Sequence, residues 1–225
     1  MEVPRMILAV GGKFPPNDYE DGRFSEIPDS FDGNLGRMPV MKIGDESIGQ
    51  SSAINFYLAS QANLMGASLI EAAKIISVEE CLKDMNNSFR ALVPYGVQPT
   101  DENWDQWFTG GATDITGPAL RDGQSSRYAY WYFSRIEQML GSHGYAVGNQ
   151  LSLADILIYN SFAEELKEEE AAGPQVAAWR YGPFGNKKRT DEMLEGFPKI
   201  KASIAQVKQN ENIQKWLAMR GIQHF

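Results

Sequence analysis

Six apolar residues, Ile75, Val78, Leu82, Met85, Phe89 and Leu92, follow one another at alternating steps of three and four. That spacing draws one stripe down a helix of about five turns, and a helix so striped is stable only when other elements cover the stripe. The covering layer is legible too. Tyr128, Trp131, Tyr132, Ile136 and Met139 repeat the period, as do Ile200, Ile204 and Val207. Ile156, Leu157, Ile158, Tyr159 and Phe162 leave almost no polar face, which predicts a helix at the buried centre of a bundle, running towards Leu166. Ser152 and Asp155 stand in capping-box spacing at its start, with Leu151 and Ile156 placed for a hydrophobic staple. Asp155 is therefore assigned to folding rather than chemistry. Trp216 and Leu217 belong to a last helix, stopped by Gly221.

The first third has a different texture. Pro4 to Ala9 predicts a short helix closed by Gly11-Gly12, and Tyr19 to Phe24 a short strand. Arg37 to Gly44 alternates around Val40 and Ile43, and Gly44-Asp45 turns it back through Glu46 to Gly49, a hairpin with a two-residue turn. From Ser51 the period becomes helical through Ile54, Tyr57 and Leu58, ending in a break near 63–68. The expected division is a small α/β domain over 1–63 and an all-helical domain over 68–225. Two connections stand out: Pro94 to Gly123, read as a loop despite Trp104, Trp107 and Phe108, and Glu164 to Glu195, read as a charged connection of low order.

Charge and cysteine content narrow the function classes. A net charge of −8 argues against nucleic acid, whose affinity comes largely from Lys and Arg on phosphates. One cysteine, Cys81, and two histidines exclude a disulfide framework and a Cys/His zinc site, and fit a reducing compartment. Cys81 lies among apolar neighbours and reads as inert core. The uncharged run Ser47 to Ile70 carries Gln50, Asn55, Gln61, Asn63 and several serines, so no membrane span is expected. The opening residues are too short and acidic for a secretory signal, and the expected location is the cytoplasm.

Four motifs, in order along the chain, bring a family into view: RMPVMKIGDESIGQSSAINFYLA (Arg37 to Ala59), the long helix opened near Glu71, VGNQLSLADILIY (Val147 to Tyr159) and FPKI (Phe197 to Ile200). Together they resemble a cytosolic glutathione transferase, in the branch akin to sigma-class proteins and glutathione-dependent prostaglandin isomerases. The resemblance implies a thioredoxin-like N-terminal domain that binds glutathione, followed by a helical C-terminal domain over an electrophile site, in a two-fold dimer.

It also implies a glutathione-binding set: Gly36, Arg37, Met38, Pro39, Gln50, Ser51 and Asp84. Pro39 matches the family's cis-proline, beside which Met38 pairs its main chain with the cysteinyl part of the tripeptide. Gln50 and Ser51 match the γ-glutamyl end, Ser51 offering the N–H and hydroxyl of a helix start to an anion, an alternative to merely capping its helix. Arg37 matches a contact to the glycine end, and Asp84 a carboxylate that reaches the α-amino group across the dimer.

The first strand of the family, with its sulfur-activating hydroxyl and following arginine, has no counterpart by register, because Glu2 to Ala9 already matches the first helix. The domain is thus expected to be incomplete at its N-terminus, through a late start or as a short relative, and no catalytic residue is assigned. Tyr19 lies too late to serve. The function expected is conjugation of glutathione with a hydrophobic electrophile, or isomerisation of one. The alternative is a non-catalytic glutathione-binding or interaction module. A thiol-disulfide oxidoreductase is disfavoured by the lack of Cys near Gly11 or in the Arg37 to Ser51 region. No metal is expected.

Overall fold

The structure is a computed structural model that describes residues 2–22, 34–94, 97–110, 127–163 and 186–220. Its first element, α1 (Glu2–Val10), buries Val3, Met6, Ile7 and Ala9. It closes as a Schellman turn: the Gly12 N–H donates to the Ala9 carbonyl at 2.8 Å and the Lys13 N–H to the Leu8 carbonyl at 2.8 Å. Gly12 carries the left-handed φ of 72° that this ending requires.

The hairpin follows as β1 (Val40–Ile43) and β2 (Glu46–Gly49), antiparallel, with Val40 opposite Gly49 and Ile43 opposite Glu46. Gly44 takes φ 58° in the tight turn between them. Helix α2 (Ser51–Gln61) buries Ile54, Asn55 and Ala59 and packs on α1.

Helix α3 (Leu69–Leu92) carries the long stripe. Ser68 caps it by accepting from the Glu71 N–H, and Ile75, Val78, Leu82, Met85 and Phe89 are buried. The remaining helices are α4 (Asp101–Thr109), α5 (Ala129–Met139), α6 (Leu153–Phe162), α7 (Lys187–Leu194), α8 (Pro198–Gln209) and α9 (Glu211–Met219). α6 is the hub, packed against α8, α3 and α1, with Leu153, Ile156 and Ile158 fully enclosed. The Asp155 carboxylate accepts from the N–H groups of Ser152 and Ala146 at 2.9 and 2.7 Å and from the Ser203 hydroxyl at 2.7 Å. One side chain thereby fixes the helix start, the preceding loop and α8.

Three expectations need correction. Residues 101–109, read as part of a loop, form α4, because Thr100 and Asn103 make a reciprocal capping box and Trp104, Trp107 and Phe108 share one buried face. The rings of Trp104 and Trp107 join Phe89 of α3, Tyr128 at the start of α5 and Tyr132 within it, with Phe89 stacked on Trp104 at 5.4 Å. Residues 187–194, assigned to a low-order connection, form α7, capped by Asn186 and pinned to α4 by the Arg189–Asp105 ion pair at 2.6 Å. The rest of that connection, 164–185, and residues 111–123 of the first one lie outside the described residues. Tyr19 to Gly22 form no strand, while Arg23 and Phe24 lie outside the described residues. Among the described residues, no helix is long and apolar enough to cross a membrane.

Candidate functional site

The hairpin decides where the expected binding residues stand. Pairing Val40 with Gly49 sets Pro39, just before β1, across from Gln50, just after β2. The two segments are then tied by a residue that the sequence reading passed over. Asn34, 8% exposed, donates from Nδ2 to the Pro39 carbonyl at 3.1 Å and accepts at Oδ1 from Gln50 Nε2 at 3.2 Å. Its own carbonyl accepts from the Arg37 N–H at 3.0 Å. Gly36, Arg37, Met38, Pro39, Gln50 and Ser51 are thereby gathered into one surface cluster. Asp84 is exposed on α3, and among the described residues no hydrogen bond or ion pair joins it to that cluster.

The backbone of the cluster departs from regular structure. Leu35 and Gly36 take φ of 53° and 75°, which folds the segment into a tight turn ahead of Met38. The Met38–Pro39 peptide bond is cis. Met38 is 56% exposed and Leu35 94%. Arg37 is exposed as well, and among the described residues no ion pair occupies its guanidinium.

Gln50 is the N-cap of α2, held at φ 68°, and its side chain makes no capping hydrogen bond. Ser51 is the first helical residue rather than the cap. The leading N–H groups of α2 therefore face outward with the positive end of the helix dipole behind them, and no acidic side chain in the first turn competes for them. A carboxylate is the natural complement, which suits a chain of net charge −8 because capture needs no added cation.

Other groups with chemistry are occupied or quiet. Burial pushes the Cys81 thiol up to about 11, so little thiolate exists near neutral pH. The Tyr19 hydroxyl is enclosed without a hydrogen-bond partner among the described residues, and burial, aided by the Asp21 carboxylate, holds it up to about 12. Trp104, Trp107 and Tyr132 are core side chains. Among the described residues, no group of three or more His, Cys, Asp and Glu side chains could hold a metal ion.

Known proteins share this architecture. The family described as glutathione S-transferase, C-terminal domain, matches residues 126–220. Probable glutathione S-transferase 7 of Caenorhabditis elegans is 28% identical over 229 positions, covering 100% of this chain and 93% of the worm protein. Glutathione S-transferase A3 of Homo sapiens is 31% identical over 179 positions, covering 74% of this chain and 70% of that protein. Among solved structures, monomeric Na-GST-3, a glutathione S-transferase of the hookworm Necator americanus, superposes with a TM-score of 0.67 at 23% identity, covering 100% of this chain and 93% of its own. That likeness is one of fold: a thioredoxin-like N-terminal domain followed by a helical C-terminal domain. Fold and sequence agree, and the chain belongs to the glutathione S-transferase family.

Proposed function

We propose that the chain is a glutathione transferase that joins the glutathione thiol to a hydrophobic electrophile. The sulfur forms the new bond to carbon, the leaving group departs with its electron pair, and the thiol proton passes to solvent. Isomerisation of a bound electrophile through the same sulfur is the variant of this chemistry that shares the binding site. The glutathione residues are Gly36, Arg37, Met38, Pro39, Gln50 and Ser51. In this reading the Met38 main chain pairs with the tripeptide, the start of α2 holds the γ-glutamyl carboxylate and Arg37 meets the glycine end.

The observation that carries the reading is the uncapped start of α2 beside the exposed Met38-Pro39 segment, with Asn34 tying the two together. On the same reading Asp84 works in a two-fold dimer, reaching glutathione held by the neighbouring subunit. A light-scattering mass of one chain would sink that arrangement.

The deciding experiment is calorimetric titration of glutathione into wild type and Ser51→Ala, followed by conjugation of an aryl halide. Loss of the hydroxyl contact to a carboxylate is expected to weaken binding about tenfold or more. Unchanged binding in Ser51→Ala removes Ser51 from the site. Glutathione binding without conjugation turns the reading towards a binding module, since no residue is assigned as sulfur activator.

A further inference from the structure

We infer that Asn34 is a positioning residue that holds the two halves of the glutathione cradle in register, an inference that rests on the binding reading above. Asn34 stands outside the set of contact residues, yet its polar atoms serve that set. A carbonyl oxygen can only accept, so the amide nitrogen must face Pro39 and the amide oxygen must face Gln50 Nε2, as the distances of 3.1 and 3.2 Å show. With one N–H engaged, the Gln50 amide is oriented, and its oxygen and second N–H are left to meet a ligand.

Gly49 makes this approach feasible. A Cβ at Gly49 would lie 2.6 Å from Cβ, Cγ and Oδ1 of Asn34, well inside contact distance. The last residue of β2 must therefore lack a side chain for Asn34 to reach under the strand end. Gly49 has no left-handed φ to account for it, so close approach is the reason for glycine here. Asn34 and Gly49 are two parts of one device. It holds Met38-Pro39 and Gln50-Ser51 at fixed separation before ligand arrives, which lowers the ordering cost of binding.

The test is glutathione affinity in Asn34→Ala, Gly49→Ala and the double variant, with a thermal melt of each. Each single change is expected to weaken glutathione binding about tenfold, the scale of a lost buried hydrogen-bond pair. The double variant is expected to be no worse than either, since both break the same contact. In turnover the loss falls on KM for glutathione rather than on kcat. Asn34→Asp supplies a variant in case alanine prevents folding. It keeps the acceptor for Gln50 but turns a carboxylate oxygen towards the Pro39 carbonyl, and is expected to bind glutathione no better than the alanine variant. A lowered melting temperature with glutathione affinity within about twofold of wild type would make Asn34 merely structural and overturn the inference. Wild type that binds no glutathione overturns the cradle reading and this inference together, whereas wild-type binding with indifferent Asn34 variants overturns this one alone.

Discussion

The indole N–H of Trp216 donates to the carboxylate of Glu2 at 2.6 Å, joining residues 214 positions apart in the chain. Arg220 meets the same oxygen at 2.8 Å, and Arg5 approaches the other at 3.4 Å while gripping Asp21 at 2.7 Å. Glu2 and Arg220 are 7% and 3% exposed, so this carboxylate and guanidinium form a buried pair between the start of α1 and the residue that ends α9. The thioredoxin-like half and the last helix of the helical half are thereby tied by charge as well as by packing.

Glu2→Gln is expected to destabilise the fold by about 3–5 kcal/mol, because Arg220 stays buried after losing its carboxylate. Trp216→Phe keeps the ion pair, removes one hydrogen bond to a charged acceptor, and is expected to cost about 1.5–3 kcal/mol. Urea unfolding of both variants checks the order. A Glu2→Gln protein less perturbed than Trp216→Phe would show that the charge pair is not what holds the two helices.

Asp155 gives a prediction about pH. Its carboxyl is raised from the ordinary 3.8 by burial, against the lowering effect of hydrogen bonds from Ser152, Ser203 and the Ala146 backbone. The folded state therefore keeps this proton at a pH where the unfolded chain has lost it. The group's contribution to stability is fully present below 3.8 and declines as pH rises through the folded value. Asp155→Asn cannot titrate, so the stability of wild type minus that of the variant is expected to fall as pH rises above about 4, then level off. Unfolding curves of the pair across that range decide it. A difference that climbs with pH contradicts the stated direction.

Cys81 should be sluggish towards alkylating reagents. With its thiol up at about 11, half-buried beside the α3 stripe, its thiolate fraction at mild alkaline pH is far below that of a free cysteine. Iodoacetamide labelling of the native protein is expected to run at least about tenfold slower than labelling of the urea-unfolded chain. Equal rates in the two states would remove burial as the controlling factor.

The elements legible in the sequence share one property: their signals are local. Ile75 to Leu92 declared α3 by period, Ser152 and Asp155 declared the start of α6, and Gly44-Asp45 declared the hairpin turn. α4 also carried a local signal, Thr100 and Asn103 in capping-box spacing followed by Trp104, Trp107 and Phe108 at helical intervals. The glycine-rich surroundings hid it. α7 carried less, because its sequence is mostly charged and only Thr190, Leu194 and, in part, Met193 turn inward among its residues.

The candidate site divides along the same line. Gly36 to Pro39, Gln50 and Ser51 were readable because a motif holds them in consecutive order. Asn34 was not, because nothing in the spacing of Asn34, Pro39 and Gln50 announces that one amide reaches both segments.

By itself, the sequence determined the period of each striped helix, the hairpin, the cap of α6 and the family motifs, all of which depend on residues within a few positions of one another. Only the tertiary structure decided that Asn34 bridges the cradle, that Glu2 meets Trp216 and Arg220, and that Asp155 reaches Ser203. The Asn34 bridge depends on the chain folding back beside the β1–β2 hairpin, and the other two join helices far apart in sequence, so that none is written in the spacing of neighbouring residues.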